Sequence, residues 1–289
     1  MSEIVTLTGG DLTARIKSKG AELCSLTGAA GTEIIWQAGP AWPRHAPVLF
    51  PIVGKLAGDQ LRHDGAAFRL TQHGFARDQV FTLAEASQDL AHFVLTDNAA
   101  TRALYPFAFR LDAIFRIKDG GLSITYRVSN PGIAALPASI GAHPAFCWPL
   151  TANTAKSGYR LEFSDPEPAP IRRLKDGLLD PVPYPTPIRG RILPLDEELF
   201  AADAIILDQV ASHWVRFTAE DAAPVLVAWE GFDTLGLWSK PGAPFLCIEP
   251  WKGFASPVGF DGEFAAKPGL MQIPPGESRS VSYSIKLGT

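Results

Sequence analysis

Alternation of apolar and polar positions at a period of two dominates this chain. Leu122, Ile124, Tyr126 and Val128 alternate with Ser123, Thr125, Arg127 and Ser129, and Val281, Tyr283, Ile285 and Leu287 alternate with Ser280, Ser282, Ser284 and Lys286. Phe109, Leu111, Ala113, Phe115 and Ile117 share one face opposite Arg110, Asp112 and Arg116. Successive strand side chains point to opposite faces, so each segment reads as a half-buried antiparallel strand. Further strands are predicted over 67–72, 81–85, 91–96, 213–219, 225–230 and 245–248. Asp119-Gly120-Gly121, Asn130-Pro131-Gly132, Lys240-Pro241-Gly242 and Pro274-Pro275-Gly276 supply turns between them. Only 196–202 reads as a helix, and a short one. Many short strands with frequent turns predict an all-β fold, a large antiparallel sandwich with few short helices. The Pro-rich stretch 165–194 reads either as a linker or as a long excursion at the sandwich edge. Strand patterns look alike on both sides of it, so one domain over 1–289 is expected.

Composition narrows the partners. The 289 residues are 46% hydrophobic, enough for a sizeable core. A net charge of −4 and a pI near 5.9 argue against a nucleic-acid partner, which calls for a basic patch. The N-terminus shows no basic-then-apolar leader and no apolar run reaches membrane-spanning length, so neither a signal peptide nor a membrane partner is expected. Cys24, Cys147 and Cys247 are odd in number and far apart, which suits reduced thiols and a cytoplasmic location. There is no Cys-x-x-Cys pair and no His-Glu-x-x-His, and the six histidines are dispersed, so no metal site is expected.

Three segments place acid/base residues in unusual settings. His143 lies in Gly141-Ala142-His143-Pro144-Ala145-Phe146, an apolar stretch where Pro144 pushes it toward extended backbone. Such a histidine is either a core residue satisfied by backbone groups or a proton carrier near neutral pH. Glu249 follows the apolar run Phe245-Leu246-Cys247-Ile248 and precedes Pro250-Trp251. It either alternates to solvent or is held in a pocket that raises its pKa. His73 and Arg77 flank Gly74, a residue that permits a tight turn. A Cys147–His143 nucleophile is disfavoured, because on one strand the two would stand about 13 Å apart. Gly-x-Ser-x-Gly, Walker and dinucleotide-binding fingerprints are absent.

Taken with Ala46-Pro47-Val48-Leu49-Phe50-Pro51-Ile52-Val53-Gly54-Lys55-Leu56 and Leu235-Gly236-Leu237-Trp238, these segments run the length of the chain. Their order resembles the aldose 1-epimerase (galactose mutarotase) family, its LacX-like branch most closely. The resemblance implies a β-supersandwich. It implies a mutarotase that interconverts α and β anomers of an aldohexose by ring opening and reclosure, without a cofactor. Glu249 matches the family's catalytic base, His143 its acid and His73 its second active-site histidine. Lys55 falls where relatives carry a substrate-binding arginine; lysine keeps the charge but not the bidentate fork. Arg77, Asp203, Trp238 and Trp251 are the remaining candidates for binding the sugar. Two alternatives stay open: a hexose-6-phosphate epimerase with Arg44, Arg77 or Lys252 as the anion clamp, and a non-catalytic carbohydrate-binding protein on the same scaffold. The expected partner is a small sugar, and the expected assembly a monomer or homodimer.

Overall fold

Nine strands form one antiparallel sheet, in the order Ile192–Pro194, Arg160–Phe163, Trp214–Ala219, Ala222–Glu230, Ser278–Leu287, Gly121–Ser129, Arg110–Lys118, Leu90–Thr96 and Thr82–Ala86. The coordinates are a computed structural model and describe residues 3–288. The three most strictly alternating segments lie side by side in this sheet, with Tyr126 opposite both Val281 and Ala113. Their apolar rows face one way: Phe115, Ile124 and Ile285 are buried while Arg116 is exposed. Each such side chain contributes about 1.5–3 kcal/mol by leaving water.

A second sheet runs Ile205–Leu207, Thr234–Trp238, Phe245–Lys252, Ile140–Ala142, Val48–Leu49, and Ala145–Cys147 also pairs with Phe245–Lys252. Leu235, Leu237, Leu246 and Ile248 of this sheet share a single buried cluster with Phe115, Ile124, Val227 and Ile285 of the first. Two sheets facing one core make the sandwich. A third, three-stranded sheet, Ile4–Gly9, Leu12–Lys17 and Glu22–Thr27, adds Leu7, Ile16 and Leu26 to the same cluster.

The strand predicted over 67–72 ends at Arg69, the one over 245–248 runs on to Lys252, and the helices differ as well. The predicted helix is a 3-10 turn, Glu197–Phe200, whose first turn is capped by the Asp196 carboxylate accepting from the Glu198 N–H at 3.0 Å. The α-helix Ala99–Arg102 was not expected; Asn98 caps it by accepting from the N–H groups of Ala100 and Thr101. The Pro-rich 165–194 stretch is fastened at both ends. Its last strand pairs onto Arg160–Phe163, and the buried Glu167 carboxylate accepts from the N–H groups of Ala211 and Ser212.

Candidate active site

The strand Phe245–Lys252 is buried on both faces, and its alternation separates core from site. Leu246 and Ile248 point into the main core. Phe245 and Cys247 join one smaller cluster on the other face and Trp251 a second, and Glu249 shares that face by alternation. Glu249 does not turn to solvent: it is 1% exposed. Neighbouring strands make room for this row. Gly236 pairs with Glu249, and a Cβ there would come within 2.4 Å of Trp251 Cζ2. From the opposite strand, a Cβ on Gly141 would come within 2.8 Å of Trp251 Cδ1. The two glycines form a slot for the indole.

His143 sits in the bend between Ile140–Ala142 and Ala145–Cys147, both of which pair with the central strand. That bend corrects the single-strand picture of His143 and Cys147: Cys147 turns away, its Sγ donating to the Ile35 carbonyl at 3.5 Å. Across from the bend, His143 Nε2 lies 3.2 Å from Glu249 Oε2. Trp42 stacks on the imidazole, ring centroids 4.9 Å apart, and Trp238 meets it edge-on at 5.9 Å. His73 approaches the same ring at 5.6 Å. It is carried by a turn in which His73 and Gly74 both have positive φ. Gly74 is required there twice over, since a Cβ would also lie 2.3 Å from the Phe50 carbonyl oxygen. His73 Nδ1 accepts from the Gly54 N–H at 3.1 Å, so the neutral ring carries its proton on Nε2.

Burial governs the electrostatics. It raises the Glu249 pKa well above the carboxylate range; the Trp251 indole N–H opposes this and Asp203 reinforces it. His143 is lowered to about 3, by burial first and by the Arg77 and Arg44 charges next. His73 is lowered well below neutrality by burial, then by His143 and Arg77. Glu249 Oε2, His143 Nδ1, Trp251 Nε1 and Arg77 Nε are buried with no aligned hydrogen-bond partner among the described residues. Such groups cost free energy unless something completes them.

They open on a cavity of about 450 Å³, within the range of roughly 300–1,000 Å³ usual for small-molecule pockets. Of the residues singled out in the sequence, His73, Arg77, His143, Asp203, Trp238, Glu249 and Trp251 all line it. Lys55 does not; its side chain runs beside Gly177 of the hairpin formed by Leu174–Lys175 and Leu178–Leu179. Of the three candidate anion clamps, Arg77 lines the cavity, whereas Arg44 pairs with Asp78 at 3.1 Å and Lys252 with Asp233 at 2.6 Å, outside the lining. Sequence reasoning missed Trp42, Gln72 and Lys240, which do. Nothing local marked Trp42; its role comes from the fold. A larger cleft, about 660 Å³, lies among turns at Gly9, Gly28, Gly120 and Gly288 and contains no histidine or glutamate.

The sheets form a β-sandwich with a pocket lined by buried ionisable side chains. The chain matches the family model for aldose 1-epimerase over residues 3–283 and belongs to that family. It is 32% identical to the plasmid-borne protein LacX of Lactococcus lactis subsp. lactis over 96% of both chains. Two solved structures have the same fold along almost the whole chain. One is a galactose mutarotase related enzyme from Lactobacillus acidophilus, at TM-score 0.93 and 30% identity over 99% of this chain and 98% of that one. The other is a galactose mutarotase-like protein from Lactobacillus casei ATCC 334, at TM-score 0.91 and 29% identity over 99% of this chain and 100% of that one.

Proposed function

We propose that the protein is an aldose 1-epimerase, interconverting the α and β anomers of a free aldohexose. The observation that carries this reading is the buried His143–Glu249 pair, 3.2 Å apart at the base of a sugar-sized cavity. In the forward direction the Glu249 carboxylate takes the proton of the anomeric hydroxyl while the His143 imidazolium protonates the ring oxygen. The C1–O5 bond breaks to give the open-chain aldehyde, rotation about C1–C2 turns the other carbonyl face toward O5, and reclosure reverses both transfers. Each positioned acid or base contributes about 10²–10⁴-fold.

The pair carries one proton and its net charge never changes. The shifts leave that proton on Glu249 at rest, so the first state of the cycle, with His143 protonated and Glu249 ionised, is the less populated form. Burial disfavours the separated charges of the first state. Protonating the ring oxygen and discharging the carboxylate relieve that cost together, which pulls the ring open. His73, with Nδ1 engaged by Gly54, offers Nε2–H as a donor to a sugar oxygen. Trp42, Trp238 and Trp251 supply apolar faces for the pyranose carbons. The phosphorylated-sugar reading keeps only Arg77 as a clamp at the cavity, because Arg44 and Lys252 are each committed to an aspartate. Three unpaired cysteines suit a cytoplasmic setting.

The test is polarimetry of freshly dissolved α-D-glucose and α-D-galactose with wild type, Glu249→Gln and His143→Ala. Wild type accelerates mutarotation, and Glu249→Gln loses about 10²–10⁴-fold in kcat. Full activity in Glu249→Gln would remove the base assignment. No acceleration of either sugar by wild type would remove the free-aldose reading.

A further inference from the structure

We propose that the base of this pocket is also a binding site for a thiophilic divalent cation of the Zn²⁺ class, held by Cys247 Sγ, a His143 ring nitrogen and the Glu249 carboxylate. Cys247 takes no part in the proton transfers above, yet it stands two residues before Glu249 on the strand Phe245–Lys252 and so shares its face. The pairing of Ala145 with Cys247 and of Gly141 with Trp251 brings His143 over the same row. One ligand atom from each of the three residues lies within 4.8 Å of the others, and all three residues are buried. The His143–Glu249 separation of 3.2 Å matches the spacing of about 3.3 Å between N and O ligands around a tetrahedral ion with bonds near 2.0–2.1 Å.

Glu249 Oε2 has no aligned partner among the described residues, so that oxygen is available to an incoming ion. A dication with one thiolate and one carboxylate is neutral overall, which removes most of the cost of placing charge in so dry a site. One sulfur, one nitrogen and one carboxylate favour Zn²⁺ or Cd²⁺ over Mg²⁺ or Ca²⁺. Binding displaces the thiol proton, and any proton on Glu249, to solvent; no redox change is involved. Water completes the four-coordinate shell. A second triad, His63, Asp64 and Glu263, is more exposed and has no thiol.

Resting on the proposed function, the ion and the sugar exclude one another, so Zn²⁺ inhibits mutarotation. Titration with Cd²⁺, followed by the ultraviolet thiolate-to-metal absorption, tests the site whether or not the protein is an epimerase. The expected result is one Cd²⁺ per chain, displaced by Zn²⁺. Cys247→Ser abolishes the absorption and retains basal mutarotation that Zn²⁺ no longer inhibits, and Glu249→Gln weakens Cd²⁺ by at least about tenfold. Should Cys247→Ser fail to fold, the double variant Cys24→Ser, Cys147→Ser replaces it, and the absorption must persist there. Absorption that survives in Cys247→Ser, or that disappears from the double variant, overturns the proposal. So does its absence from wild type. Cd²⁺ bound by a protein inactive on both sugars would remove the epimerase reading and leave the metal site standing. Metal binding unaffected by saturating D-galactose in an active enzyme would remove the exclusion.

Discussion

Glu22 is a buried carboxylate outside the cavity whose charge is predicted to hold the site's aromatic wall in place. It is 9% exposed, and its Oε1 accepts from the N–H groups of His45 and Ala46 at 2.8 and 3.1 Å. Its Oε2 faces Lys17 Nζ at 3.4 Å and His45 Nδ1 at 3.7 Å. The His45 carbonyl accepts in turn from the Ala145 N–H at 2.9 Å, which ties the loop bearing Trp42 to the strand beside His143. Burial alone would raise the Glu22 pKa, but the His45 side chain, the His45 N–H and Lys17 outweigh it and bring the carboxyl from 4.5 to about 2. At about 1.4 kcal/mol per pH unit, that fall is worth about 3 kcal/mol of stability. The folded pKa is the lower one, so this stability is fully present above pH 4.5 and is lost as the pH falls toward about 2. Glu22→Gln keeps an acceptor for the backbone N–H groups and deletes only the charge. Urea unfolding at pH 7 is expected to show a loss of up to about 3 kcal/mol, or about 1 M in midpoint for an m-value near 3 kcal/mol/M. At pH 3.5 the gap between wild type and variant narrows by about 1.4 kcal/mol; groups shared by both proteins cancel in that difference. A gap that is negligible at pH 7, or constant from pH 7 to 3.5, refutes the reasoning.

Two further substitutions probe the site's construction. Gly236→Ala pushes a methyl group to 2.4 Å from Trp251 Cζ2, so the indole must leave its slot; the expected cost is about 1–3 kcal/mol by denaturant unfolding, with a changed tryptophan emission and reduced kcat. Unchanged emission and activity would show that the slot is not needed. Lys55→Ala, at a residue outside the cavity lining, is expected to change kcat/KM by less than about threefold, and a large rise in KM would return Lys55 to the sugar site.

What could be read in the sequence follows from how much water each element meets. The strands Gly121–Ser129 and Ser278–Leu287 have one wet face, so polar residues alternate with apolar ones and the period is plain. The central strand of the site is buried on both sides and carries no such alternation. The side on which Glu249 emerges was therefore undetermined until its pairing with Gly236 was known. Val48–Leu49 and Ile140–Ala142 are too short to show any period, and Glu22–Thr27 is interrupted by a register shift that skips Cys24. That Glu249, His143 and His73 line a cavity was nevertheless hinted at, because an ionisable side chain in an apolar segment is costly to bury alone. That cost marks individual residues and says nothing about their neighbours in space. Trp42 reaches His143 through a loop anchored by Glu22, a residue from a different sheet. Cys247 looked like one of three scattered thiols until the pairing of Ala145 with Cys247 put it under His143. The ionisable residues are local anomalies, whereas the pocket they line is a product of register.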